Sequence, residues 1–270
     1  MPFDLINGEF FREGEKVFTT DFPEQLLFSD YMRANRNRLM CSDEHCQLMV
    51  LLFQMHHLEV PEYMKSRGRE LYRQVERALV RNKLYKSAKI GLHFFMQDQH
   101  VCYLIRLQAM NEAGYELNAE GLLVEPFKKI VKAGSPLSSL RLGSEPYWKI
   151  MESFRTSPSR VPLLINGKGC LLEAPARNLY LIGDQTVHTA APGSGVYLDP
   201  LKETIRKISE RAGFGFEENE FLDEEDLLSA GEAFLAGDLY GIQWIKGFGK
   251  KRYLNKAVRE LSDRLSRETD

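Results

Sequence analysis

What most limits the fold of this chain is a ladder of short apolar runs in its second half, each closed by turn-forming residues. Residues 161–165, 170–174, 178–182 and 186–189 are such runs, and Gly167-Lys168-Gly169 separates the first two. Runs this short and this closely spaced read as consecutive antiparallel strands rather than helices. Helical periodicity resumes at Asp199 and again near Glu224. From Lys250 onward, Leu254, Ala257, Leu261 and Leu265 recur at helical spacing among charges, which predicts a terminal surface helix.

The first half mixes both periods. Ile6-Asn7-Gly8-Glu9 reads as strand, tight turn and strand, because Asn-Gly takes the positive φ angles of a type I′ hairpin. Leu48, Leu51, Leu52 and Met55 mark a helix beginning at Ser42, with Ser42 or Asp43 as its cap. A second helix is predicted over 61–82, followed by strands over 88–96 and 100–110 joined at Gln97-Asp98-Gln99. The polar, small-residue stretch from Gly114 to Gly121 then interrupts the pattern. It divides the chain into an N-terminal α+β domain, 1–118, and a C-terminal domain, 119–270.

Charge excludes several functions. Lysine and arginine number 36 against 38 acidic residues, a formal charge of -2, so no basic excess exists to neutralise a run of phosphates and nucleic acid is not an expected partner. No segment approaches the roughly 20 consecutive apolar residues of a membrane helix. The opening MPFDLINGEFF lacks the basic-then-apolar pattern of a signal peptide, so the chain is read as cytoplasmic. Cys41, Cys46, Cys102 and Cys170 form no CxxC pair and read as free thiols. Cys41, His45, Cys46, His56 and His57 share one predicted helix, but no second close pair completes a tetrahedral set, and no metal is expected.

Four separated stretches carry a resemblance. Asn7-Gly8-Glu9-Phe10 is followed by Tyr31-Met32-Arg33 and, twelve residues after that arginine, by His45. Gly169-Cys170-Leu171-Leu172-Glu173 has Asn178 five residues on, which is similar to a GxxxExxxxN element. Residues 225–235, EDLLSAGEAFL, are close to an EDLLxADEAFLT segment. Arg141-Leu142-Gly143-Ser144 lies 32 residues before Glu173. Together these resemble the class IV aminotransferases, the family of D-amino-acid and branched-chain aminotransferases and aminodeoxychorismate lyase. The resemblance implies a two-domain α+β fold: a smaller N-terminal α/β sandwich, and a larger C-terminal domain of antiparallel, barrel-like strands with helices. It also implies a homodimer and a pyridoxal phosphate cofactor held as a Schiff base to a lysine.

Where that lysine is expected, this chain has Arg141. A guanidinium remains protonated and forms no exchangeable imine, so ordinary transamination is not expected of it. Glu173 matches the acid that keeps a pyridine nitrogen protonated, although an isolated strand glutamate would by default face solvent or cap an amide. The phosphate anchors implied by the family are altered together. Leu48 replaces the helix arginine; Asp199-Pro200-Leu201-Lys202 replaces a Gly-Ile-Thr-Arg loop; Phe234-Leu235-Ala236-Gly237-Asp238 replaces a loop ending in threonines. Each lost charge-assisted contact costs about 1.5–3 kcal/mol. No cofactor is therefore firmly expected, with pyridoxal phosphate the one to consider.

The resulting expectation is a class IV aminotransferase-like protein with a degenerate cofactor site, binding a small anionic ligand in an interdomain cleft through Arg141, Glu173, Asn178 and Lys202. One alternative is an active aminotransferase or aminodeoxychorismate lyase using another lysine. Lys132 and Lys149 are nearest, but Lys149 falls on a predicted helix and Lys132 precedes a different turn. A second alternative is a homodimeric scaffold. Tyr147, Trp148, Tyr240 and Trp244 are candidates to line a cleft, or else core.

Overall fold

The computed structural model describes residues 2–12 and 26–269. The described residues up to Gly114 and those from Tyr115 onward form two compact units.

The first unit contains β1 (Phe3–Ile6), β2 (Glu9–Arg12), β3 (Leu26–Asn35), β4 (Arg38–Leu39), α1 (Ser42–Met55), α2 (Lys65–Arg81), β5 (Ser87–Gln97) and β6 (His100–Ala109). Its strands form one antiparallel sheet in the order β2-β1-β6-β5-β3-β4. The β1–β2 hairpin turns at Asn7 and Gly8, whose φ angles are 48° and 88°, as the Asn-Gly dipeptide predicts. Asp98 and Gln99 turn β5 into β6 with φ of 48° and 65°.

Two helix starts differ from the sequence expectation. The residue before α1 is Cys41, in the left-handed region with φ of 49°, and neither Ser42 nor Asp43 caps, because both already lie within the first turn. The helix predicted from Pro61 begins as a short 3-10 turn over Glu62–Met64. It is then broken where Ser66, Arg67 and Gly68 take positive φ; Gly68 adopts this region without steric cost, and the regular helix follows it.

The second unit contains β7 (Leu122–Lys132), α3 (Pro136–Ser139), α4 (Arg141–Ser153), β8 (Arg160–Asn166), β9 (Leu171–Ala174), β10 (Arg177–Gly183), β11 (Thr186–Ala190), α5 (Lys202–Arg211), β12 (Gly215–Asn219), α6 (Glu224–Ser229), β13 (Glu232–Gly237), β14 (Gly241–Phe248), β15 (Lys251–Arg252) and α7 (Lys256–Thr269). The run β8 to β11 is antiparallel throughout, as its sequence predicts. The whole sheet is mixed, because β7, β12 and β14, not anticipated as strands, add the parallel pairs β7–β8, β7–β14 and β11–β12. The terminal helix starts at Lys256 rather than Lys250, the intervening residues forming β15 against β14. Similarly, Asp199 precedes α5 and is not part of it.

The order β9-β8-β7-β14-β13-β10 closes on itself, because β10 also pairs with β9 through Arg177↔Ala174 and Asn178↔Glu173. Closure removes two sheet edges. Val161 and Leu163 of β8, Leu179 and Leu181 of β10, and Ala233 and Leu235 of β13 share one buried apolar core. Leu164, alternate to Leu163, packs instead with Phe127, Trp148, Met151 and Tyr197. Among the described residues no helix is long and apolar enough to cross a membrane.

A non-glycine residue in the left-handed region costs roughly 1–2 kcal/mol. Replacing Gln99, exposed and at φ of 65°, by glycine is expected to stabilise the first unit by about 1 kcal/mol, seen as a raised urea midpoint at unchanged slope.

Candidate functional site

The β9–β10 closure sets Glu173 and Asn178 side by side, both with no exposure to solvent. A carboxylate in this position must be met by donors from the protein. Glu173 Oε1 accepts from Lys132 Nζ at 2.6 Å and from Trp148 Nε1 at 2.9 Å, and Oε2 accepts from the Tyr197 backbone N–H at 2.5 Å.

Each donor has a local reason to be there. Lys132 is the last residue of β7, and its ammonium also donates to Ser144 Oγ at 2.9 Å, while that hydroxyl donates to the Ser138 carbonyl at 2.7 Å. The chain then turns sharply: Ser135 and Ser138 form a capping box on α3, with Pro136 at its first position. Gly143 permits α4 to lie against α3, since a Cβ there would sit 2.2 Å from the Leu137 carbonyl oxygen. The same helix carries Arg141, Ser144 and Trp148, all buried.

Lys132, with 1% exposure, is one of the largest fully buried side chains. Burial lowers its pKa from the ordinary lysine range, and the charge and hydrogen bond of Glu173 oppose that shift.

Arg141 meets different surroundings. Its guanidinium carbon lies 5.4 Å from the Trp148 ring centre and 5.6 Å from that of Tyr197, and Nη1 is 3.5 Å from Glu145. Its charge also bears on Asp199, lowering that group's pKa against two larger effects. Asp199 and Asp238 are buried, at 5% and 0% exposure. Asp199 accepts from Leu201 N at 2.8 Å and from Asp238 N at 3.4 Å. Burial, then the Asp238 charge, raises the Asp199 pKa well above the carboxylate range.

Of the four residues singled out from sequence, Glu173, Asn178 and Arg141 share Tyr197 as a neighbour, and Lys202 does not join them. Glu173 and Asn178 are adjacent; Arg141 lies beside Trp148 and Tyr197. Lys202 pairs with Glu218 of β12 at 2.5 Å, outside the Glu173 cluster. The ammonium that meets Glu173 is Lys132. Sequence reasoning kept Lys132 only as an alternative because it precedes a different turn, and it missed Ser144 and the Tyr197 amide. Of the four aromatic residues, only Trp148 donates to Glu173. Tyr147 accepts from Ala133 N, Tyr240 lies 4.8 Å from the Arg177 guanidinium, and Trp244 N bonds Asn118.

The chain has the fold of the class IV aminotransferases. Branched-chain aminotransferase from Escherichia coli superposes with a TM-score of 0.80 at 16% identity, covering 100% of this chain and 96% of that one. The branched-chain aminotransferase of the archaeon Thermoproteus uzoniensis, crystallised with norvaline, gives 0.78 at 15%, covering 99% and 94%. A hypothetical aminotransferase from Mycobacterium tuberculosis in its PLP-bound form gives 0.78 at 11%, covering 99% and 98%. No family model matches the chain, and neither does any curated relative.

Breaking a buried ion pair from one side costs roughly 3–5 kcal/mol. Lys132→Met is expected to destabilise by that order in chemical denaturation, and Lys132→Met with Glu173→Gln to recover part of the loss. For Asp199 the folded pKa is raised, so the folded state holds its proton above the ordinary carboxylate pKa of about 4. Its contribution to stability is full below that value and is lost as pH rises through the folded pKa. Asp199→Asn is expected to flatten this decline and to raise the melting temperature at neutral pH.

Proposed function

We propose that this chain keeps the aminotransferase-like fold without Schiff-base chemistry, and that it acts by binding rather than by transamination. One observation carries the reading: both oxygens of Glu173 are already engaged, by Lys132, Trp148 and the Tyr197 amide. Three donors take three of the roughly four lone-pair sites of a carboxylate, and one of them is an ammonium that already answers the charge a protonated pyridine nitrogen would need. The segments that correspond to phosphate loops add weight, since they contribute two buried carboxylates, Asp199 and Asp238, where an anion would need donors. Pyridoxal phosphate does not fit these residues in the pose that the resemblance implies. The expected anionic ligand has less support, because Lys202 is paired with Glu218 and Arg141 is shared with Asp199.

A second reading has one observation in its favour: Lys132 is a buried lysine that reaches Glu173, and its lowered pKa favours the neutral amine that attacks a carbonyl. An absorbance scan of the purified protein with added pyridoxal phosphate, before and after borohydride reduction, separates the two. No shifted band and no adduct are expected. A reduced adduct mapped to Lys132 by peptide mass spectrometry would establish the enzyme reading and refute the first.

A further inference from the structure

Arg177 is a buried cation that no carboxylate answers. It opens β10 opposite Ala174, beside the β9–β10 closure, and lies two residues before Leu179 on the same face of the strand. Leu179 pairs with Leu235 of β13, and Leu235 with Gln243 of β14. Arg177 and Gln243 therefore fall on one face of three adjacent strands, the face that carries the apolar core. Arg177 is 5% exposed. Its Nε donates to the Pro175 carbonyl at 3.2 Å and Nη1 to Gln243 Oε1 at 2.5 Å, while the exposed Tyr240 ring has its centre 4.8 Å from the guanidinium carbon. Both acceptors are neutral. Among the described residues Nη2 meets no acceptor, and no acidic oxygen lies within ion-pair distance of Arg177.

The surrounding charges do not close. Burial lowers the Arg177 pKa from the ordinary arginine range; Tyr240 and Glu152 oppose that shift, and the Arg155 charge adds to it. A guanidinium nevertheless stays protonated near neutrality. Glu152 is exposed and already paired with Arg155 at 3.3 Å, so two guanidinium charges face one carboxylate and about one positive charge is unmatched. Gln243 adds a second donor. A guanidinium can only donate, so Gln243 turns Oε1 toward it, and its NH₂ group, like Nη2, has no acceptor among the described residues. Nη2 and Gln243 Nε2 each stand two covalent bonds from one end of the 2.5 Å contact, and neither is sealed from solvent. One unmatched charge selects a monoanion, and the planar N–H fork of arginine favours an oxyanion such as a carboxylate. Tyr240 lies against the guanidinium, which leaves its edge for that anion.

We propose that Arg177, through Nη2, holds a small monocarboxylate at the start of β10, with Gln243 fixing the guanidinium and Tyr240 packed against it. The site uses none of the side chains that meet Glu173, includes none of the four residues singled out from sequence, and does not depend on the loss of Schiff-base chemistry. The competing arrangement is a guanidinium satisfied by Pro175, Gln243 and water alone.

Thermal unfolding of the full chain at neutral pH, with sodium acetate replacing sodium chloride in the millimolar range at constant ionic strength, separates the two. The midpoint is expected to rise saturably with acetate, a tenfold excess over the dissociation constant shifting the folded-to-unfolded ratio about tenfold. Acetamide, which has the shape without the charge, is expected to give no rise, and in Arg177→Met the acetate response is expected to disappear. Gln243→Glu tests the same point with the guanidinium in place. It supplies an internal carboxylate at the position of Oε1, so it is expected to raise the midpoint in chloride above that of the unaltered chain and to abolish the acetate response. No saturable rise in the unaltered chain, or an equal rise with acetamide, would overturn the proposal. An acetate response undiminished in Gln243→Glu would overturn it as well, by placing the carboxylate elsewhere, and that result stands even where Arg177→Met does not fold.

Discussion

The ion pair between Lys132 and Glu173 organises the second unit more than any other single contact. Glu173 sits where β9 closes the barrel on β10, and a charge with no solvent there demands donors from whatever lies nearby. It draws them from three places: the end of β7, the middle of α4 and the backbone of the segment leading to α5. Each therefore has a fixed position relative to the barrel wall. Removing the charge would relax three elements at once, which is why a buried pair of modest net worth can still specify an arrangement.

Charge is redistributed around that pair in a consistent way. Lys132 occupies Glu173, Arg141 stands beside two aromatic rings and bears on Asp199, and Asp199 lies beside the likewise buried Asp238. Glu173 is answered by three donors, while Asp199, beside Asp238, has its pKa raised by burial and then by that neighbouring charge.

Much of this was legible in the sequence, and the remainder was not for definable reasons. The β1–β2 turn follows from Asn7-Gly8, and β8 to β11 follow from short apolar runs between turn residues; the fold class followed from scattered motifs. By contrast, β7 carries Pro126, Lys128 and Lys129 within it and lacks a clean period of two, so it was not read as a strand and Lys132 was noted only as preceding a turn. The break in α2 comes from three left-handed residues, of which only Gly68 advertises itself. Site residues fared unevenly for a related reason. Glu173 and Asn178 belong to one hairpin and can be paired by counting, whereas Lys132, Trp148 and the Tyr197 amide meet Glu173 across 41, 25 and 24 residues of sequence. Lys202 carried the right charge for an anion, but Glu218 of the neighbouring strand already answers it.

Lys132, not Arg141, is the cation that meets Glu173. A lysine able to attack a carbonyl needs an amine that can shed its proton and room in front of it. Lys132 has the first in part, since burial lowers its pKa, but its nitrogen is held between Glu173 and Ser144. For a carbonyl compound to reach it, Glu173 would have to exchange that ammonium for another cation while Trp148 and the Tyr197 amide kept their places. Arg141 is the nearest guanidinium on α4 to those two residues, yet it is already drawn toward Asp199 and Glu145. The arrangement is thus stable because its charges answer one another, with the Lys132 amine held between Glu173 and Ser144.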